Sequence, residues 1–421
     1  MNLKYSQIIK LLLLAINQNL YTTNLVVTNS NVHPAQPVSI FGDTIVNRRH
    51  AEINALFAYS IPADKITTEL TTTGSAGISN SMALLQTGTA PNGAATIKTK
   101  TAIQYVPGHD VEFLFTGAFT SGGATNSSQW IGAFNDNDGF AVGYKDTDFA
   151  ILYRNFTTGT LVETIIPKTE FNVDRLNGTG PSSINFIPAN LNIFKISFGW
   201  LGTAPIIFWI MRSDGRWFKF HIIERPNNFT IPSISIPMLQ IHAKVINSGN
   251  TDNMSLYTAS WMGGTIGEDD ATVNRIHAAE RLNKINIISE VPLLSIKNST
   301  ENYYGKTNAL NLKILFVCIS SQTDNALTVF RLIKNPTLTG HSFTDHAAGL
   351  SIAQVDKVAT SYTGGTHLLT IFGSNNSSSN LPILNNNLQI TLVPGDILTI
   401  TGSATDYATV NASLTWQEPI A

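Results

Sequence analysis

Few residues of this chain are equipped for chemistry, and the first question is whether any are spaced to act together. In "GHSFTDHAAG", His341, Asp345 and His346 stand four and one residues apart, a spacing at which two imidazoles and a carboxylate could share a metal ion. The segment is polar, and separate loop residues are the simpler reading. In "AFNDNDGFAVGYKD", Asp136 and Asp138 precede Gly139 in the manner of a calcium loop. Phe134 stands where such a loop needs its first Asp, and no bidentate Glu follows. A turn rich in Asn and Asp uses the same residues without a metal. Glycoside hydrolysis needs two carboxyl groups across a groove. Glu112, Asp136, Asp138 and Glu163 are available, but nothing in their linear order sets two of them face to face. The HExxH, G-x-S-x-G and phosphate-loop patterns are missing from the sequence. The expectation is a protein that is no enzyme, with no catalytic, cofactor or metal residues.

The elements that would position such residues are strands. "FKISFGWLGTAPIIFWIMRSDGRWFKFHII" alternates with period two from Phe194 to Trp200, is apolar on both faces from Ala204 to Met211, and reverses at Ser213-Asp214-Gly215. This predicts a three-stranded antiparallel meander with an inner second strand. Its aromatics are read first as core. Short alternating runs separated by Gly, Asn, Pro and Thr turns continue from about residue 36 to 266, and a second such block runs from 291 to 421. The fold class expected is all-β: two tandem antiparallel β-sandwiches of jelly-roll type. Two echoes join the blocks. "YVPGHDVEFLF" and "LVPGDILTITG" each feed a strand from a Pro-Gly turn, and "TASWMGG" and "NASLTWQ" each read as a closing strand with a buried Trp.

Residues 267–290 are more charged. Val273, Ile276 and Leu282 fit a helical stripe there, so the segment is expected to be a connector. Residues 1–35 are expected to form a helical arm. Tyr5, Ile9, Leu12 and Ile16 fall on one side of a helix and would serve as an oligomerising or anchoring seam. Lys10 breaks the apolar run, which is too short to span a bilayer.

Charged residues are 13% of the 421-residue chain, against about a quarter in soluble domains. The surface must therefore be largely Asn, Ser and Thr, as suits a protein whose faces are covered by neighbours. A net charge of -2 with no Lys/Arg cluster argues against nucleic acid as a partner. The one cysteine, Cys318, lies in the apolar "LKILFVCIS", is read as a buried structural thiol, and allows no intrachain disulfide.

The stretch "NVDRLNGTGPSSINFIPANLNIFKISFGWLGTAPIIFWIMRSDGRWFKFHII", with the later "PSISIPMLQIHAKVINSGNTDNMSLYTASWMGGTIGE" and the earlier "SSQWIGAFNDNDGFAVGYKDTDFAILYR", resembles a group of β-rich virion proteins of large DNA viruses and tailed phages. "VFRLIKNPTLTG", "LVPGDILTITG" and "ASLTWQE" resemble a second domain found behind the first. The resemblance covers about residues 36–421 and implies a capsid-associated, spike, fibre or penton component of the virion, assembled in the host cytoplasm. It implies no catalytic residue. The expected partners are further copies of the chain, as a trimer or pentamer, and other capsid proteins. The alternative is a viral adhesin that recognises a host surface glycan through outward aromatics, for which Trp130, Tyr144, Tyr153 and Trp217 are the candidates.

Overall fold

The computed structural model describes residues 49–266, 275–284, 287–301, 303, 305–322, 326–374, 378–382 and 390–419. Tyr5, Ile9, Leu12 and Ile16, and with them the expected helical arm, lie outside the described residues.

The first block folds into two large antiparallel sheets. In one, Arg49–Leu56, Ser260–Ile266, Asp110–Gly117, Asn192–Phe198, Ile206–Met211 and Trp217–Ile223 lie side by side in that order. The predicted meander is its last three strands, with Ile206–Met211 inside as expected. The other sheet has seven strands, in the order Val162–Pro167, Asp148–Asn155, Gly139–Lys145, Ser127–Phe134, Ile241–Asn247, Ala94–Thr99 and Ile66–Thr71. A three-stranded sheet of Ser255–Thr258, Met82–Gln86 and Ser75–Ser79 accompanies them.

Alternation decides which residues meet between the large sheets. Phe113, Phe115, Phe194, Phe198 and Phe208 point inward from the six-stranded sheet, and all are buried. Phe140 and Phe149 come from the seven-stranded one: Phe140 lies 5.5 Å from Phe198, and Phe149 6.5 Å from Phe194, between ring centroids. Burying each such side chain contributes roughly 1.5–3 kcal/mol. The same alternation turns Asp110, Glu112, Lys195, Ser197 and Trp209 to the opposite, outer face.

The second block also pairs two sheets. Arg275–Lys284, Thr409–Glu418, Leu312–Gln322 and Ser378–Pro382 form one, with Thr391–Leu392 also on Leu312–Gln322. Thr344–Asp345, Ala353–Asp356, Val291–Asn298, Ile397–Ala404, Leu327–Lys334 and Thr366–Ser374 form the other. Ile314, Val317, Leu414 and Trp416 of the first meet Leu294, Ile296, Phe330 and Leu332 of the second in one apolar cluster. The echoes between the blocks have a structural basis. Val106-Pro-Gly-His109 and Val393-Pro-Gly-Asp396 each close a turn by an i+3 amide donating to the first carbonyl. Gly108 at φ 89° and Gly395 at φ 94° occupy the left-handed position that such turns need. Trp261 and Trp416 are both buried.

Two expectations are corrected. Residues 275–284 are not a helical connector but a ten-residue edge strand paired antiparallel with Thr409–Glu418. Ile276 and Leu282 are exposed on it, because the segment pairs with a neighbouring strand instead of burying an apolar stripe. Val273 lies outside the described residues. Cys318 is partly exposed, since its neighbours Val317 and Ile319 take the inward positions.

The sandwiches are joined by buried amides. The Gln104 side chain donates to the carbonyls of Ala102 and Ala309, and the Asn311 side chain also donates to Ala102. The Gln104 backbone amide donates to Glu52, and the Asn311 amide to Gln104 Oε1. Gln104→Leu removes these side-chain groups and takes the partner from the Ala309 carbonyl and from the buried Asn311 amide, which should lower stability by about 1–3 kcal/mol. In denaturant unfolding, Gln104→Leu and Asn311→Leu combined should cost less than the sum of the two alone, because they share one network. A neutral Gln104→Leu would show that the junction does not depend on these amides.

Candidate functional site

A buried set of polar groups lies on the outer face of the six-stranded sheet. Ser197 pairs directly with Glu112 across Asp110–Gly117 and Asn192–Phe198, and Lys195 sits diagonally from Glu112. Lys195 Nζ donates to Glu112 Oε1 at 2.8 Å. Both residues are nearly buried, at 8% and 4% exposure. The next strand adds Trp209, whose indole N–H donates to Ser197 Oγ and whose ring centroid is 4.4 Å from Lys195 Nζ. Trp217, on the edge strand, brings its ring to 5.3 Å from the same ammonium. A carboxylate, an ammonium and two indoles thus form one contiguous group, with Asp110 two positions before Glu112 on the same face.

Sequence reasoning named Glu112 and Trp217 but did not bring them together. The period-two pattern shows that Glu112, Lys195 and Ser197 point outward; only the strand register shows that they meet.

Of the four expected ligand-facing aromatics, three are engaged elsewhere. Trp130 is buried among Phe134, Ala141, Ala150 and Leu152. Tyr144 turns inward and packs edge-on against Phe119 and Phe149. Tyr153 stacks on Phe140 and donates its hydroxyl to the carbonyl of Ser233, while burial pushes its pKa up. Trp217 is half-buried beside Lys195.

The expected acids are held by donors. Asp138 accepts from the amides of Phe156, Ser235 and Ile236 and from the Ser235 hydroxyl. It thereby pins the 233–236 segment to the turn after Ser127–Phe134; Asp136 is exposed. Glu163 pairs with Arg154. His341, Asp345 and His346 do not converge: Asp345 accepts from Gln354, while the His346 ring packs on Trp416, 4.8 Å away. Among the described residues no group of three His, Cys, Asp or Glu side chains is placed to hold a metal ion.

The motifs that carry the virion resemblance are likewise turn scaffolds. Within "DRLNGTGPS", Asp174 accepts from the amides of Leu176 and Ser182. A Cβ on Gly180 would stand 2.2 Å from Asp174 Oδ1, so the loop closes around this carboxylate only with glycine there. The Trp200 indole donates to the Ile234 carbonyl. Asp214 accepts from Arg212 and Arg216, which hold it near pKa 2. Asn247 donates to the carbonyls of Gly88, Ala90 and Asp252.

A second feature is a cleft of about 680 Å³ between the sandwiches. Glu52, Asp64, Lys65 and Lys100 line it from the first block and Lys313, Lys334 and Asp396 from the second. Lys334 is paired to Asp396 at 2.8 Å. No aromatic side chain is among its described walls.

No protein-family model matches the sequence, and no curated protein matches it. Among solved structures, the chain is similar to a putative β-glucanase from Mycobacterium abscessus, at 11% identity over 51% of this chain and 100% of that one, with a TM-score of 0.35. It is similar to the cellulose-induced protein Cip1 at 12% identity, over 51% and 97%, with a TM-score of 0.33. Lectin I-B4 from Griffonia simplicifolia stands at 11% identity, over 51% and 99%, with a TM-score of 0.31. These likenesses are too distant to transfer the role of any residue.

Two buried histidines set a pH dependence. Burial holds His221 down to about 4. Burial, then Lys98 and Lys244, hold His242 down to about 3. Both are neutral in the folded chain at pH 6, whereas in the unfolded chain they take up protons below about pH 6.5. Their contribution is therefore complete above that pH and is lost as pH falls toward 4, with a slope of up to about 1.4 kcal/mol per pH unit for each histidine. Unfolding free energies measured from pH 7 to 4.5 should decline, and His221→Asn with His242→Asn should flatten the decline. An unchanged slope in the double variant would assign it to other groups.

Proposed function

We propose that the chain is a structural component of a virion, a capsid-associated penton, spike, fibre or decoration protein that works by assembly and turns over no substrate. The observation that carries this reading is the condition of the residues behind the virion resemblance. Asp174, Trp200, Asp214 and Asn247 each hold a loop or hairpin in place, so what recurs in the pattern is architecture. The sparse charge of the chain agrees with faces that meet neighbours, and exposed Ile276, Leu282 and Phe372 supply apolar area for such contacts. The proposed partners are further copies in closed threefold or fivefold symmetry and other capsid proteins, with the particle assembled in the host cytoplasm. No helix among the described residues is long and apolar enough to cross a membrane.

The mass in solution tests this. The full chain should form a trimer or pentamer by light scattering, and a chain lacking residues 1–35 should fall to a monomer if the N-terminal segment is the oligomerising element. A full chain that stays monomeric at every accessible concentration would contradict the assembly reading.

A second reading, recognition of a host surface glycan, is favoured by the cleft between the sandwiches. Its volume lies within the roughly 300–1,000 Å³ of small-ligand sites, and its walls set four lysines against Glu52, Asp64 and Asp396 with no aromatic ring, which suits an acidic glycan that bridges the lysines better than a neutral one that stacks on rings. Lys65→Ala with Lys100→Ala should weaken binding of a sulfated oligosaccharide about tenfold, roughly 1.4 kcal/mol, in a titration at fixed salt. Equal binding by the variant and the native chain would remove the cleft as the site.

A further inference from the structure

We propose that Lys195 and Glu112 become joined by an intramolecular amide bond, so that strands Asp110–Gly117 and Asn192–Phe198 are covalently tied. Among the described ion pairs, this one alone has both side chains less than one-tenth exposed, at 9% and 6%. The ammonium lies 2.8 Å from the carboxylate oxygen and under the rings of Trp209 and Trp217. The two groups are thus held in contact, and such positioning in intramolecular reactions replaces a high concentration of free reactant. Keeping two charges in such a place costs their desolvation. Joining them as a neutral amide removes both charges and leaves the strands in register.

The step balances without any co-reactant. Lys195 passes one proton to the Glu112 carboxylate, giving an amine and a carboxylic acid. The amine lone pair adds to Cδ of Glu112, and the C–O bond to the hydroxyl breaks. That hydroxyl leaves as water with the second proton lost from nitrogen, so one ammonium and one carboxylate become one amide and one water. Asp110 stands two residues before Glu112 on the same face, about 7 Å away between α-carbons at strand spacing. On this proposal it is the neighbouring carboxyl group on that face that would carry a proton from nitrogen to the departing oxygen. Ser197, directly opposite Glu112, is held by the Trp209 indole, which fixes the wall of the site.

The test is the intact mass of the denatured full chain, followed by sequencing of its proteolytic fragments. The bond predicts a chain one water lighter than its sequence mass and a branched fragment containing both Glu112 and Lys195. Lys195→Arg, which keeps the charge, should return to its full sequence mass. Asp110→Asn should form the bond more slowly after synthesis. A native chain at full sequence mass overturns the proposal and leaves an ion pair. So does a one-water loss that maps to a linear fragment, such as ring closure at Asp214-Gly215. The native chain alone distinguishes the amide from the ion pair, so the outcome does not depend on any variant folding.

Discussion

The layer of phenylalanines between the six- and seven-stranded sheets is the constraint from which the rest of the first sandwich follows. Phe113 and Phe115 on one strand, and Phe194 and Phe198 on the next, can face Phe140 and Phe149 only if the residues between them face the other way. A slip of one residue would place Glu112 and Lys195 in the core and the phenylalanines on the opposite face of the sheet. The same requirement that closes the core therefore presents Asp110, Glu112, Lys195 and Ser197 as a row on the outer face. Trp209 and Trp217 then follow from the hairpin that continues the sheet.

How much of this was legible in the sequence depends on the range of each interaction. Strand period is local, so the meander from Asn192 to Ile223, its inner second strand and its reversal near Asp214 could be read directly. The Pro-Gly turns before Asp110 and Ile397 could be read for the same reason. Residues 275–284 misled because a short segment with apolar residues at mixed spacing fits a helix about as well as a strand. Its partner, the strand ending at Glu418, is more than a hundred residues away, and only that pairing decides. Trp130 and Tyr153 misled differently. The packing of Leu152 on Trp130 and the bond from Tyr153 to the Ser233 carbonyl come from other segments of the chain.

The candidate site has the same history. Glu112 was visible as an acid and Lys195 as an outward residue, yet their meeting depends on a register between strands some eighty residues apart. What the sequence suggests as chemistry, the fold uses as fastening. Asp138 gathers four donors, Asp174 closes a glycine-dependent loop, and Gln104 with Asn311 couples one sandwich to the other. Carboxylates and amides that are saturated in this way hold the loops and strands around them in one arrangement.

The claim that these acids serve architecture and not catalysis is tested most directly by following reducing-end release when the full chain is incubated with soluble β-glucans and acidic polysaccharides. The account predicts no release above the protein-free blank. Release that disappears in Glu112→Gln, in protein that remains folded, would contradict it and make the outer face of the six-stranded sheet an active site.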